Sequence, residues 1–160
     1  MTTTRKLSAA VLTLSDTRKE AEDKSGQALR AILDKQGYTL SAYAIIPDNK
    51  DEIEEMLISW ADKGIDLILT TGGTGPGPRD LTPEATSAVL EKVLPGFSEL
   101  IRSEGGKKTS RAYLTRGVSG IRKKTVIINL PGSVKGATES FEAVAGLVPH
   151  TILMMEGGGH

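Results

Sequence analysis

The chain has 160 residues, 38% of them hydrophobic and 25% charged, with 20 lysines and arginines balanced by 20 aspartates and glutamates. That length suits one domain, which can bury roughly two-thirds of its unfolded surface without a disulfide or metal staple. Zero net charge and an aromatic content of 4% argue against nucleic acid and anionic membranes as partners, and the lack of cysteine excludes disulfides, thiol catalysis and cysteine metal sites.

Met1–Leu7 carries two charges, Arg5 and Lys6, with no apolar core behind them, so it does not read as a signal peptide. No apolar run approaches the ~20 residues of a membrane span. A cytoplasmic single domain over residues 1–160 is expected, with small molecules or other protein chains as partners.

Strand-like and helix-like segments alternate, which points to an α/β fold with a mostly parallel sheet. Leu7–Leu14 reads as a buried first strand. Ser25–Gln36 follows as a helix, with Ala28, Leu29, Ile32 and Leu33 on one face, Ser25 as cap and Gly37 at its end. Leu40–Ile46 is a second strand closed by Pro47. Asn49–Lys63 is a second helix with Ile53, Met56, Leu57 and Trp60 on one face, and Asp66–Thr70 is a short apolar third strand. Thr82-Pro83 looks like an N-cap followed by proline at the first helical position. Helical patterns follow at Glu84–Lys92 and Gly96–Ser103, Gly105–Gly120 gives only a weak signal, and Thr125–Leu130 is another strand. Lys135–Met155 is helical in pattern, with a break expected at Pro149.

Open α/β sheets bind ligands beyond the carboxyl ends of their strands, so the loops there are where chemistry is sought. Gly72, Gly73, Gly75 and Gly77 follow the third strand directly and precede a capped helix. Glycines let backbone amides converge on one point, and such amides beside a helix N-terminus bind anions. The loop lacks the lysine-serine/threonine ending of a P-loop, and Pro76-Gly77-Pro78 breaks the dinucleotide fingerprint. Asp80 either holds Mg²⁺ and orients a phosphate, with Arg79 meeting phosphate charge, or closes an Asx turn to Thr82. Asp48, after the second strand, is either a helix N-cap or a second carboxylate at the same sheet edge. Asn129-Leu-Pro131-Gly132-Ser133 is a second candidate anion loop with Lys135 close by, or a plain turn capped by Ser133. Arg116 and Arg122 are candidates for positive charge at that edge. His150 and His160 are too scattered to form a metal site.

The run from Thr70 through Thr71, Gly72, Gly73, Thr74, Gly75, Pro76, Gly77, Pro78, Arg79, Asp80, Leu81, Thr82 and Pro83 to Glu84 resembles the signature of the MogA/MoaB family of molybdenum-cofactor biosynthesis proteins. Val11–Asp16, Asp23–Gly26, Ile46-Pro47-Asp48, Pro95-Gly96-Phe97, Thr115–Gly120 and Asn129–Ser133 match in order and spacing, so the resemblance spans nearly the whole chain. The short Gly157–His160 end resembles the compact members. The resemblance implies a three-layer α/β/α molybdopterin-binding fold, a homotrimer or a hexamer, and Mg²⁺-dependent molybdopterin adenylyltransferase activity. In that reaction the terminal phosphate of molybdopterin attacks the α-phosphorus of ATP and pyrophosphate leaves. Asp48 and Asp80 match the family's functional aspartates and are the implied metal-holding residues. Phosphate would lie on the Gly72–Gly75 amides and the other anionic substrate on residues 129–135. A non-catalytic carrier of the same pterin is the alternative, and a small-nucleotide phosphohydrolase a more distant one. Family sequences often carry a basic residue where this chain has Pro78.

Overall fold

In the computed structural model, residues 5–158 are described. His160 and the first four residues of the Met1–Leu7 segment lie outside them. A six-stranded sheet in the order β2-β1-β3-β6-β5-β4 forms the middle layer. Its strands are β1 (Ser8–Leu14), β2 (Thr39–Ile46), β3 (Leu67–Thr71), β4 (Lys92–Val93), β5 (Ser119–Arg122) and β6 (Thr125–Leu130). The helices are α1 (Lys24–Lys35), α2 (Lys50–Asp62), α3 (Thr82–Val89), α4 (Pro95–Gly106), α5 (Val134–Val144) and α6 (Leu147–Met155).

The four strands β2, β1, β3 and β6 run parallel. Every residue of β3 and β6 is buried, and all of β1 but its first. Their largely apolar sequences follow from having helices on both faces. Alternate residues feed two cores. Val11, Leu69 and Ile128 pack with Leu29 and Leu33 of α1, Phe97 and Ile101 of α4, Phe141 of α5 and Ile152 of α6. Leu12, Ile68 and Ile127 pack on the opposite face with Ile53, Leu57 and Trp60 of α2 and Ala85 and Val89 of α3. The expected three-layer α/β/α arrangement is what the chain adopts.

Three local expectations are corrected, and one stretch left open by the sequence is assigned. α1 is capped by Asp23, whose carboxylate accepts from the Gly26 amide, and not by Ser25. α3 ends at Val89 and not Lys92, because Leu90 is extended and the chain enters β4, which pairs antiparallel with β5. The weakly patterned 105–120 stretch holds a 3-10 segment, Ser110–Leu114, and leads into β5, which pairs antiparallel with β6. The tight turn between them places Lys123 at φ 52, so the usual Asn-Gly or Gly signal of a hairpin is missing from the sequence. The last helical stretch breaks at Ala145–Gly146 and not at Pro149, which occupies the first turn of α6, where a missing amide proton costs nothing.

Candidate functional site

From β1 the chain crosses to β2 on one side, then returns through α2 to β3 on the other. The crevice at such a reversal, beyond the carboxyl ends of β1 and β3, is where open α/β sheets bind ligands. The glycine loop leaves β3 directly into it.

Gly72 and Gly73 have φ of 103° and 69°, the left-handed region that favours glycine. A Cβ on Gly72 would also stand 2.7 Å from the Leu14 carbonyl oxygen, so the loop's backbone lies against the end of β1. Internal bonds then fix its shape. The Gly72 amide donates to the Leu130 carbonyl at 3.0 Å and the Thr71 hydroxyl to the Pro131 carbonyl at 2.7 Å. From the start of α3, Thr82 gives its hydroxyl to the Gly72 carbonyl (3.0 Å) and its amide to the Gly73 carbonyl (3.2 Å). Arg116 completes the clamp. Its amide donates to the Thr74 carbonyl at 2.8 Å, its Nε to the Gly75 carbonyl at 2.9 Å and its Nη2 to the Asp80 carbonyl at 2.8 Å. Its Nη1 pairs with Glu84 at 2.6 Å, and this bond holds the Glu84 carboxyl below its ordinary range. The loop's carbonyls are thus engaged on one side. Among the described residues, no internal acceptor meets the amides of Gly73, Thr74 or Gly75. The expected phosphate cradle is narrowed to those three, since the Gly72 amide is committed to β6.

The carboxylates lie beside this cradle. Asp48 is not a helix cap: Asn49 caps α2, accepting from the Glu52 amide at 3.0 Å. Asp48 Oδ1 is buried and has no hydrogen-bond partner among the described residues, near enough to Gly73 that a Cβ there would stand 3.1 Å from it. Burial, then the charges of Asp16 and Asp80, raise the Asp48 carboxyl above its ordinary value, with Arg79 opposing. Asp80 makes no Asx turn to Thr82. Its Oδ2 accepts from the Gly77 amide at 2.9 Å, and Thr82 is itself the first residue of α3, not its cap. Asp16, just past β1, joins the group: it accepts the Asp48 amide proton at 3.0 Å and forms an ion pair with Arg79. Among the described residues, no group of three or more acidic or histidine side chains is arranged to hold a metal by itself. Mg²⁺ needs no such cage, because it is usually held by one or two carboxylates together with substrate phosphates. An orphaned carboxylate oxygen on Asp48 and hard oxygen donors from Asp48 and Asp80 fit that ion.

Beyond Thr74 and Gly75 opens a groove of about 710 Å³ between α4, the 3-10 segment and α5. Lys107, Lys108, Arg111 and Lys135 line it, with Glu104, Glu139 and Glu142 among them. The second candidate loop forms one wall. Ser133 caps α5 by accepting from the Gly136 amide at 3.0 Å, and a Cβ on Gly132 would meet the Gly72 backbone at 3.3 Å. The two loops are therefore braced against each other. Arg122 is not at this edge. Because β5 runs antiparallel, its last residue pairs with Thr125 at the start of β6, at the opposite end of the sheet.

The roles of three sets of residues escape the sequence reading. Asp16 is one, though it follows β1 as Asp48 follows β2, and that shared position is a usable signal. Asn129 is 2% exposed and bonds Thr70, Thr86 and the Val118 amide, tying β3, α3 and the Arg116-bearing segment together. The groove's basic residues on 107–111 lie in a basic, glycine-punctuated stretch that carries no motif for a site.

The family model described as "Probable molybdopterin binding domain" matches residues 10–150. The chain is 44% identical over 154 residues to a molybdopterin adenylyltransferase of Helicobacter pylori, spanning 92% of this chain and 86% of that protein. It is also 44% identical over 146 residues to the molybdenum cofactor synthesis protein cinnamon of Drosophila melanogaster; 89% of this chain is covered, but only 24% of that longer protein. Among solved structures, the molybdopterin biosynthesis enzyme MoaB from Thermus thermophilus superposes with a TM-score of 0.87 at 44% identity, covering 95% of this chain and 98% of that one. With the signature loop, the sheet order and these matches in agreement, the chain belongs to the MogA/MoaB family of molybdenum-cofactor biosynthesis proteins.

Proposed function

We propose that this protein transfers an adenylyl group from ATP to molybdopterin with the help of Mg²⁺. One observation carries the reading: three amides with no internal acceptor, Gly73 to Gly75, stand between a carboxylate edge (Asp48, Asp80, Asp16) on one side and, on the other, a groove lined by four basic and three acidic side chains. A nucleotide polyphosphate with its cation suits the first side, and an anionic pterin the second. In the transfer, a phosphate oxygen of molybdopterin bonds to the α-phosphorus of ATP while the bond to the pyrophosphate oxygen breaks. Such chemistry asks for positioning and charge neutralisation and little covalent work from the protein. No general base is required, because a phosphate monoester is already an anion at neutral pH.

Each residue then has a task. The Gly73–Gly75 amides and Arg79 offset phosphate charge. Asp48 and Asp80 would hold Mg²⁺, which when bound neutralises charge on the phosphates. Arg116, engaged by Glu84 and three loop carbonyls, keeps the cradle in shape. Pro131, Gly132 and Ser133 brace the cradle, and Lys135 faces the pterin side. No described helix is long and apolar enough to cross a membrane; a cytoplasmic homotrimer or hexamer with no affinity for nucleic acid belongs to the same proposal.

The test is an anaerobic incubation with molybdopterin, ATP and Mg²⁺, followed by chromatography for adenylylated pterin. Product from the wild type supports the enzyme. Tight pterin binding with no product would favour a carrier, and ATP consumption without pterin would favour a phosphohydrolase. Light scattering after size exclusion decides between monomer, trimer and hexamer.

A further inference from the structure

Arg79 is the basic residue of the glycine loop, and 78% of its side chain is exposed, yet its guanidinium does not stand free. It reaches out of the loop to a carboxylate carried by another strand, Asp16. That same carboxylate accepts the Asp48 amide proton through its other oxygen at 3.0 Å. One side chain at the reversal of the sheet therefore bridges three segments: the end of β1, the turn after β2 and the loop after β3. Asp80, next to Arg79 in sequence, is turned back to the Gly77 amide and takes no part in this pair. We infer that Asp16 is a positioning residue that parks Arg79 beside the cradle, and that an incoming polyphosphate takes the guanidinium over. The inference rests on the nucleotide-binding reading above.

The magnitudes allow such an exchange. An exposed ion pair of this kind is worth about 0–1 kcal/mol, so it orders the arginine without trapping it. A phosphate offers the guanidinium two parallel charge-assisted bonds, which a single carboxylate contact cannot match. Arg79 is thus held within reach of the phosphates but must leave a partner to meet them.

The test measures binding of ATP and of inorganic triphosphate by calorimetry at low salt, with no pterin present and no turnover to read. Four proteins are compared: wild type, Asp16→Asn, Arg79→Ala and the double variant. Asparagine keeps an oxygen for the Asp48 amide and removes only the charge, so the fold is preserved. Asp16→Asn should bind triphosphate about two- to fivefold more tightly than wild type. In the Arg79→Ala background that gain should shrink by at least half on a logarithmic scale. Equal or weaker binding by Asp16→Asn overturns the proposal, as does the same gain in both backgrounds, which would mean Asp16 acts on the anion directly. Nitrogen NMR of the Arg79 side chain in the ligand-free protein separates the two levels of inference. Triphosphate binding with Arg79 as mobile in wild type as in Asp16→Asn overturns the parked arginine and leaves the nucleotide reading intact. Failure of the wild type to bind ATP or triphosphate overturns both.

Discussion

Two glycine-containing loops leave neighbouring parallel strands at the same edge of the sheet, and they are built on different principles. The loop after β6 is an ordinary strand-to-helix turn: Pro131-Gly132, then Ser133 capping α5. The loop after β3 is not. Two successive residues sit at positive φ, its carbonyls are taken by Thr82 and Arg116, and three of its amides are left pointing at no internal acceptor. The first conformation is stable on local grounds. The second persists because the surrounding structure over-determines it, which is how a chain keeps binding groups unsatisfied until a ligand arrives. The contrast separates a bracing loop from a binding loop at positions that look alike in sequence.

The widest gap between the loops should appear in activity. Asp80→Asn is expected to lower adenylyl transfer by about 10²-fold or more while the far-ultraviolet circular dichroism stays unchanged, since asparagine can still accept from the Gly77 amide. Ser133→Ala, its counterpart on the bracing loop, should leave turnover within a few-fold of wild type. Equal losses in the two variants would erase the distinction.

Backbone demands should differ next. Gly72→Ala places a Cβ 2.7 Å from the Leu14 carbonyl in a left-handed conformation, for an expected cost of about 2–3 kcal/mol in denaturant unfolding. Gly132→Ala meets the Gly72 backbone only at 3.3 Å and at no positive φ, so about 1 kcal/mol or less is expected. Matching values would show that both loops are constrained alike.

Capping gives a smaller effect. Removing the Ser133 hydroxyl frees the Gly136 amide and should cost about 1 kcal/mol of stability, read in the same denaturant series.

The smallest effect concerns Asp48. Burial and the neighbouring Asp16 and Asp80 raise its carboxyl, so the folded state binds that proton more tightly than the unfolded state, whose value is near 3.8. Ionised Asp48 therefore costs stability above its folded pKa, and the cost disappears as pH falls below the unfolded value. Asp48→Asn should raise Tm at pH 7 by less than about 4 °C, and the gain should fade by about pH 4. A variant that loses activity and gains stability would mark Asp48 as a residue kept for function. A lower Tm at pH 7 would place it with the bracing elements instead.

The sequence by itself determined the layers and the binding loop. Short runs such as 66–70 and 125–130 read as central strands, because they are too short for a helix and lack the alternation of a half-exposed strand, and four glycines beside two prolines read as an irregular loop. The tertiary structure decided what faces what. Antiparallel pairing of β5 sent Arg122 to the far end of the sheet, and the hairpin that does this turns on Lys123, a residue with no turn signature. Arg116 reads as a free cation until its distance from Gly75, Asp80 and Glu84 in space makes it a clamp. Asn49 took the cap that Asp48 was equally fitted to hold, leaving a buried oxygen unpaired. Asp16 joined the site only because the sheet reverses beside β1. Local pattern specifies elements through periodicity and backbone preference; which side chains converge depends on strand order and direction, and those are settled by packing between residues far apart in the chain.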